Sequence, residues 1–165
     1  MEDSSEAVKS LQAKDGVFDF KDGPSFALSY LRTYYMQPVT ADETAVWEFL
    51  ADDFGKKPPR GRFIELGCGP TVHHILPFAP HVSEIQMADY LDENLEQVRI
   101  WQANSGDAHN WNQYTEFTLK CEGTEPSPDL VATREQLARE KISRLTLCDL
   151  KKETPAEFRG QYDTC

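Results

Sequence analysis

The passage Phe63-Ile-Glu-Leu-Gly-Cys-Gly69 constrains this chain more than any other. An apolar run that stops at two glycines one residue apart reads as a buried parallel strand, Arg62 to Leu66, entering a sharp turn. Glycine lets the backbone turn there and approach a ligand with no side chain in between. A short helical segment follows from about Thr71, limited by Pro77 and Pro80, and it is expected to aim free N–H groups at whatever binds. Glu84 to Ala88 reads as a second strand closed by Asp89, with Leu91, Leu95, Val98 and Trp101 on one helical face behind it. Ile142 to Cys148 reads as a third strand ending at Asp149. Alternating strands and helices predict an α/β fold with a parallel sheet, whose ligands bind at the carboxyl ends of the strands.

Ahead of this unit lies a helical leader. Pro24 suits a first helical position, and Phe26, Leu28, Leu31 and Tyr34-Tyr35 recur at helical spacing as far as Pro38. Thr40 and Glu43 have capping-box spacing before a Val46, Phe49, Leu50, Phe54 stripe closed by Gly55. The stretch from Asn104 to Pro128 is polar and reads as irregular, with one short helix near Trp111. Thr133 and Gln136 repeat the capping-box spacing before a helix ending near Lys141. The expected organisation is an acidic disordered tail over 1–15, a helical cap over 16–60 and a ligand-binding α/β domain over 61–165.

The chain has 165 residues and a formal charge of −11, with no basic stripe, so its field repels phosphate backbones and nucleic acid is not an expected partner. Neither a long apolar run nor a secretory leader is evident, which makes a cytoplasmic protein without a membrane span the expectation. Cys68, Cys121, Cys148 and Cys165 have no CxxC spacing, so reduced thiols are expected rather than a zinc site or disulfides.

A Gly-x-Gly turn alone marks a ligand weakly. Here Asp89 follows Gly67 by 22 residues at the end of the next strand, where a carboxylate accepts both ribose hydroxyls of an adenosine. The third glycine of the dinucleotide pattern, which leaves room for a pyrophosphate, is replaced by Val72. That disfavours a nicotinamide dinucleotide and favours a ligand without phosphates, such as S-adenosylmethionine, held by the Gly67 and Gly69 backbone with Asp149 at the adenine amino group.

The segments Tyr30-Leu-Arg-Thr-Tyr-Tyr35, Gly67-x-Gly-Pro-Thr71, Asp89-Tyr-x-Asp-x-Asn-Leu95 and Cys148-Asp149 resemble the small-molecule N-methyltransferases grouped with the nicotinamide, phenylethanolamine and indolethylamine enzymes. The likeness runs over roughly residues 18 to 165. It implies an incomplete Rossmann-like class I methyltransferase fold: a helical N-terminal leader plus the first three strands of the parallel sheet. It implies N-methylation of a small amine or nitrogen heterocycle, with S-adenosylmethionine as cofactor. Tyr30 and Tyr35 would close over the methionine part, and Gly67 and Thr71 would contact its amino-acid moiety. Asp89 would hold the ribose, Asn94 would lie beside the adenosine, and Asp149 with the Leu150 backbone would meet the adenine.

Three departures from the family pattern stand out. His73 stands where relatives carry a tyrosine, Pro77 and Pro80 shorten the helix after the loop, and the chain stops where the fourth strand would begin. The first strand is then expected to be an exposed edge. No catalytic base and no metal site is identified. Adjacent helix residues point in different directions and no third ligand is evident, so His73-His74 reads as neither a metal site nor an acid–base pair; Trp101 reads as packing, Trp111 as an anchor of the irregular stretch, and Asp92-Glu93 and Arg134-Glu135 as solvated helix faces. The rival readings are a methyltransferase-like binding or regulatory fragment without turnover, and a nucleotide-dependent oxidoreductase, which Val72 disfavours.

Overall fold

The structure, a computed structural model, describes residues 25–36, 39–55, 60–152 and 162–163. The expected acidic tail, Pro24 and Pro38 lie outside these residues. The described elements are α1 (Ser25–Tyr34), α2 (Ala41–Gly55), β1 (Arg60–Leu66), two 3-10 turns (His73–Ile75 and Ala79–His81), β2 (Val82–Asp89), α3 (Asp92–Gln102), α4 (Asn112–Cys121), α5 (Pro128–Lys141) and β3 (Ile142–Leu147). The three strands form a parallel sheet in the order β1-β2-β3, an incomplete Rossmann-like α/β arrangement. Among the described residues no helix is long and apolar enough to cross a membrane.

Alternation along the strands sorts the sheet into two unlike faces. Phe63, Ile85 and Met87 belong to the hydrophobic core, with Leu145 packed against it. The opposite face carries Arg62, Glu84, Gln86, Arg144 and Thr146 in adjoining register. There Arg62 pairs with Glu84, and the buried Gln86 amide donates to the Thr146 hydroxyl at 2.8 Å. Leu95, Val98 and Trp101 of α3 and Ala138 of α5 complete the core on the first face.

The leader shares that core. Ala27 and Leu31 are the buried residues of α1, four apart on one face, whereas Leu28 and Tyr34 are exposed. In α2 the capping box forms as expected: the Thr40 N–H donates to Glu43 Oε2 at 2.8 Å and the Glu43 N–H to Thr40 Oγ1 at 3.4 Å. In the stripe behind it Val46 and Phe49 are 50% and 68% exposed, and the Phe54 side chain lies outside the described residues. Among the described side chains of α2 the buried one is Trp47, whose indole N–H donates to Thr118 Oγ1 at 2.8 Å. An indole can bury its ring and still satisfy its polar edge on α4, which neither Val46 nor Phe49 requires.

The short helix expected near Trp111 is the ten-residue α4, which buries Tyr114, Thr115, Thr118 and Leu119. Two further expectations are corrected. Helix α5 begins at Pro128 and is capped by Ser127, whose hydroxyl accepts from the Leu130 N–H at 3.3 Å; Thr133 is already inside it. Arg134 and Glu135 are not on a solvated face. Arg134 forms a fork with Glu122 (2.7 and 2.5 Å) and donates to the Leu76 carbonyl at 3.1 Å, while Glu135 accepts from Thr115 (3.0 Å) and Arg139 (2.8 Å).

Among the described residues β1 is an edge strand paired with β2 alone. Residues 162–163 lie along its outer side: the Asp163 N–H donates to the Arg62 carbonyl and the Arg62 N–H to Asp163 Oδ2, both at 2.8 Å. A side chain at Gly61 would collide with the Asp163 carboxylate and displace it from the Arg62 N–H.

Candidate functional site

The glycine loop is folded back over the end of β2. Gly67 and Gly69 have φ of 73° and 62°, a left-handed backbone costly for other residues. The Gly67 and Cys68 N–H groups both donate to the Ala88 carbonyl, at 2.7 and 3.1 Å. The Thr71 hydroxyl donates to the Cys68 carbonyl at 2.7 Å and ties off the far side of the turn. Beside Gly67 and Gly69 the space is open to 4 Å, so a ligand can approach the bare backbone. The short helical segment expected from about Thr71 takes the form of a three-residue 3-10 turn, His73–Ile75.

Asp89 joins the three strand ends. Its Oδ2 accepts from the Gly69 N–H at 2.8 Å, and its Oδ1 accepts from the Leu91 N–H and the Asn94 amide, both at 2.9 Å. The Cys148 N–H donates to its backbone carbonyl at 2.8 Å. A carboxylate offers about four lone-pair sites, and three are taken. Its most accessible function is thus to hold the loop, with one acceptor position left on Oδ2.

Among the described residues two buried acceptors in this cluster have no donor, Glu65 Oε2 and Asn94 Oδ1. Glu65 lies two positions before Gly67, and its Oε1 is 3.0 Å from His74 Nδ1. The carboxyl ends of the strands also present exposed apolar side chains: Leu66 after β1, Tyr90 after β2, Leu147 and Leu150 at β3. An exposed apolar row beside unpaired polar atoms suits a flat ligand with a polar edge. Asp149 at the same end makes a local turn, with Oδ1 accepting from the Lys151 N–H at 3.0 Å, and Leu150 is 69% exposed.

Tyr30 and Tyr35 pack together, with ring centroids 5.7 Å apart, and Tyr35 reaches His73 at 4.8 Å. Burial and the Tyr30 hydroxyl push the Tyr35 phenol far up, so it stays protonated. Burial likewise pushes up the Cys68 thiol, as do Glu65 and Asp89, so it is not a nucleophile at neutral pH. Among the described residues no group of His, Cys, Asp and Glu is arranged to hold a metal ion.

His73 and His74 share the first 3-10 turn but have unlike settings: His74 is exposed, whereas His73 is buried. Its ring is 1% exposed, inside a box of Trp47, Trp111, Tyr35 and Tyr114. Trp111 is the N-cap residue of α4 and a wall of this box. The box was missed because its walls come from positions 35 to 114, and aromatic spacing along the chain does not encode that meeting. Trp101 is packing as expected, beneath the Arg139 guanidinium at 4.3 Å.

The NNMT/PNMT/TEMT family matches residues 24–161. The chain is similar to phenylethanolamine N-methyltransferase of Bos taurus, 28% identical over 139 residues, which is 80% of this chain and 48% of the relative. It is 28% identical to indolethylamine N-methyltransferase of Oryctolagus cuniculus over 132 residues, 76% of this chain and 49% of the relative. With nicotinamide N-methyltransferase of Homo sapiens the identity is 26% over 93 residues, 56% and 34% of the two chains. The chain spans about half the length of the curated phenylethanolamine and indolethylamine relatives it matches.

Proposed function

The chain belongs to the NNMT/PNMT/TEMT family, and from that premise we propose that it binds S-adenosylmethionine at the carboxyl ends of β1, β2 and β3 and serves methyl transfer to the nitrogen of a small amine or heterocycle. The observation that carries the reading is the Asp89 cluster, with its unpaired acceptors Glu65 Oε2 and Asn94 Oδ1 beside the open glycine backbone. The ligand has an ammonium group and ribose hydroxyls to donate and no phosphate to accommodate, which fits acceptors without a nearby cation. When bound, it supplies a methyl group already activated by its sulfonium.

Glu65 is the acceptor for the ammonium group, and the bare Gly67 and Gly69 backbone, braced by Thr71, takes the amino-acid moiety. Asp89 takes a ribose hydroxyl on its remaining Oδ2 position, and Asn94 Oδ1 takes a second donor. Leu66, Tyr90, Leu147 and Leu150 form the apolar bed for the adenine, whose amino group Asp149 accepts. The leader over 16–60 acts as a cap, Tyr30 and Tyr35 closing over the methionine end and excluding water, while 61–165 is the binding unit.

Calorimetry with S-adenosylmethionine on the wild type and on Glu65→Gln tests this. Binding by the wild type, weakened at least about tenfold in the variant, is expected for a lost charge-assisted contact. Binding of a nicotinamide dinucleotide in place of S-adenosylmethionine would overturn the reading. Binding without methyl transfer to any amine tested would favour a regulatory fragment.

A further inference from the structure

We propose that His73 is a positioning residue whose neutral imidazole latches the leader over the glycine loop, so that cofactor retention is lost in mild acid. The proposal rests on the S-adenosylmethionine reading. His73 lies two residues beyond Thr71, and its ring is nearly parallel to two indoles. Trp47 of α2 is 5.4 Å away at 7°, and Trp111 at the start of α4 is 5.1 Å away at 4°. Tyr35 and Tyr114 close the sides at 4.8 Å each. One imidazole therefore touches the end of α1, the middle of α2 and the first turn of α4. Other bonds hold the same parts together: Trp47 to Thr118 (2.8 Å), the Gln113 amide to the Tyr35 carbonyl (3.1 Å) and the Tyr114 hydroxyl to Glu43 (3.3 Å).

The protonation state decides whether the box closes. His73 Nδ1 is buried and has no hydrogen-bond partner among the described residues. A neutral ring can leave that nitrogen as an unused acceptor, but imidazolium makes both nitrogens donors and leaves an N–H without an acceptor. Attraction of a cation to the indole faces works the other way, but it is weaker than the solvation lost by a buried charge with no acceptor. Burial accordingly pulls His73 well below its usual range, helped by His74 and His109.

The groups facing the ring are consistent with this. His74 lies 3.9 Å away, and His109, itself lowered by burial, packs on Trp111 at 4.6 Å. Burial raises the Tyr35 and Tyr114 phenols, so they stay uncharged. The carboxylates of Glu43 and Glu65 contact Tyr114 and His74 respectively.

The test reads tryptophan emission of the cofactor-free chain from pH 8 to 5, with S-adenosylmethionine affinity at both ends of the range, for the wild type, His73→Phe and His74→Ala. Trp101 is buried under Arg139 and outside the box, so a change reports Trp47 and Trp111. Expected is an acid transition in the wild type and His74→Ala, accompanied by an affinity loss of up to about tenfold per pH unit below it. His73→Phe, which keeps a flat ring, should lose the affinity change and most of the emission change, leaving only what His109 against Trp111 contributes. The same transition in His73→Phe would overturn the latch. Should that variant fail to fold, the wild-type His73 ring proton, followed by NMR, decides: titration near its ordinary value with the emission unchanged also overturns it. Absence of S-adenosylmethionine binding at every pH would overturn the cofactor reading, while the emission comparison still decides the latch.

Discussion

At the residue scale, single polar side chains hold several elements at once. Asp89 satisfies backbone donors from the glycine loop and from the start of α3, together with the Asn94 amide. Asp89→Ala strands the Gly69 and Leu91 N–H groups in a nearly buried setting and should cost about 2–4 kcal/mol in urea unfolding, beyond its effect on ligand affinity. Trp47→Phe keeps most of the ring but leaves the Thr118 hydroxyl without its indole partner; a loss of about 1 kcal/mol is expected, against about 3–5 for Trp47→Ala. Asp89 and the glycines were legible because a turn and an acidic strand end are local patterns. Trp47 and His73 were not, because each is buried by partners that are not its neighbours in sequence.

At the element scale, the helices show which local signals survive folding. Thr40 and Thr133 have the same capping-box spacing, yet only Thr40 caps. Thr133 donates to the Asp129 carbonyl from within α5, and Ser127 performs the capping. Ser127→Ala should therefore lower the urea midpoint by the equivalent of about 1 kcal/mol, and Thr133→Ala should leave it almost unchanged. For helix α4 the place near Trp111 was legible but the extent was not. Its buried face includes Thr115 and Thr118, whose hydroxyls donate to the Trp111 and Tyr114 carbonyls one turn back, so the burial period does not register as hydrophobic.

At the scale of the whole molecule, charge and edge exposure set the expected behaviour. His73 and His109 are both held below their usual value of about 6.5 by burial. The unfolded chain takes up their protons first as pH falls, so their contribution is complete above about pH 6.5 and declines below it. A Tm that is level from pH 7 to 8 and falls from pH 6.5 to 5 is expected; the opposite slope would contradict these burial assignments. Among the described residues the outer side of β1 is met by Asp163 at Arg62. Removing that cover in Asp163→Ala should increase concentration-dependent self-association in sedimentation velocity, because an uncovered edge offers unpaired backbone groups.

The sequence by itself determined the α/β class, the order of the three strands, the position of the glycine loop and the acidic residue that follows it. These are written in apolar periods, glycine and strand-end chemistry within a few residues of one another, and family membership followed from them. Only the tertiary structure decided that Trp47, and not Val46 or Phe49, faces the core, and that Arg134 and Glu135 are buried in pairs. It also placed His73 at the centre of an aromatic box and, among the described residues, left Glu65 and Asn94 with unpaired acceptors. Burial and pairing depend on groups brought together from distant parts of the chain, and local sequence carries no record of which of them will meet.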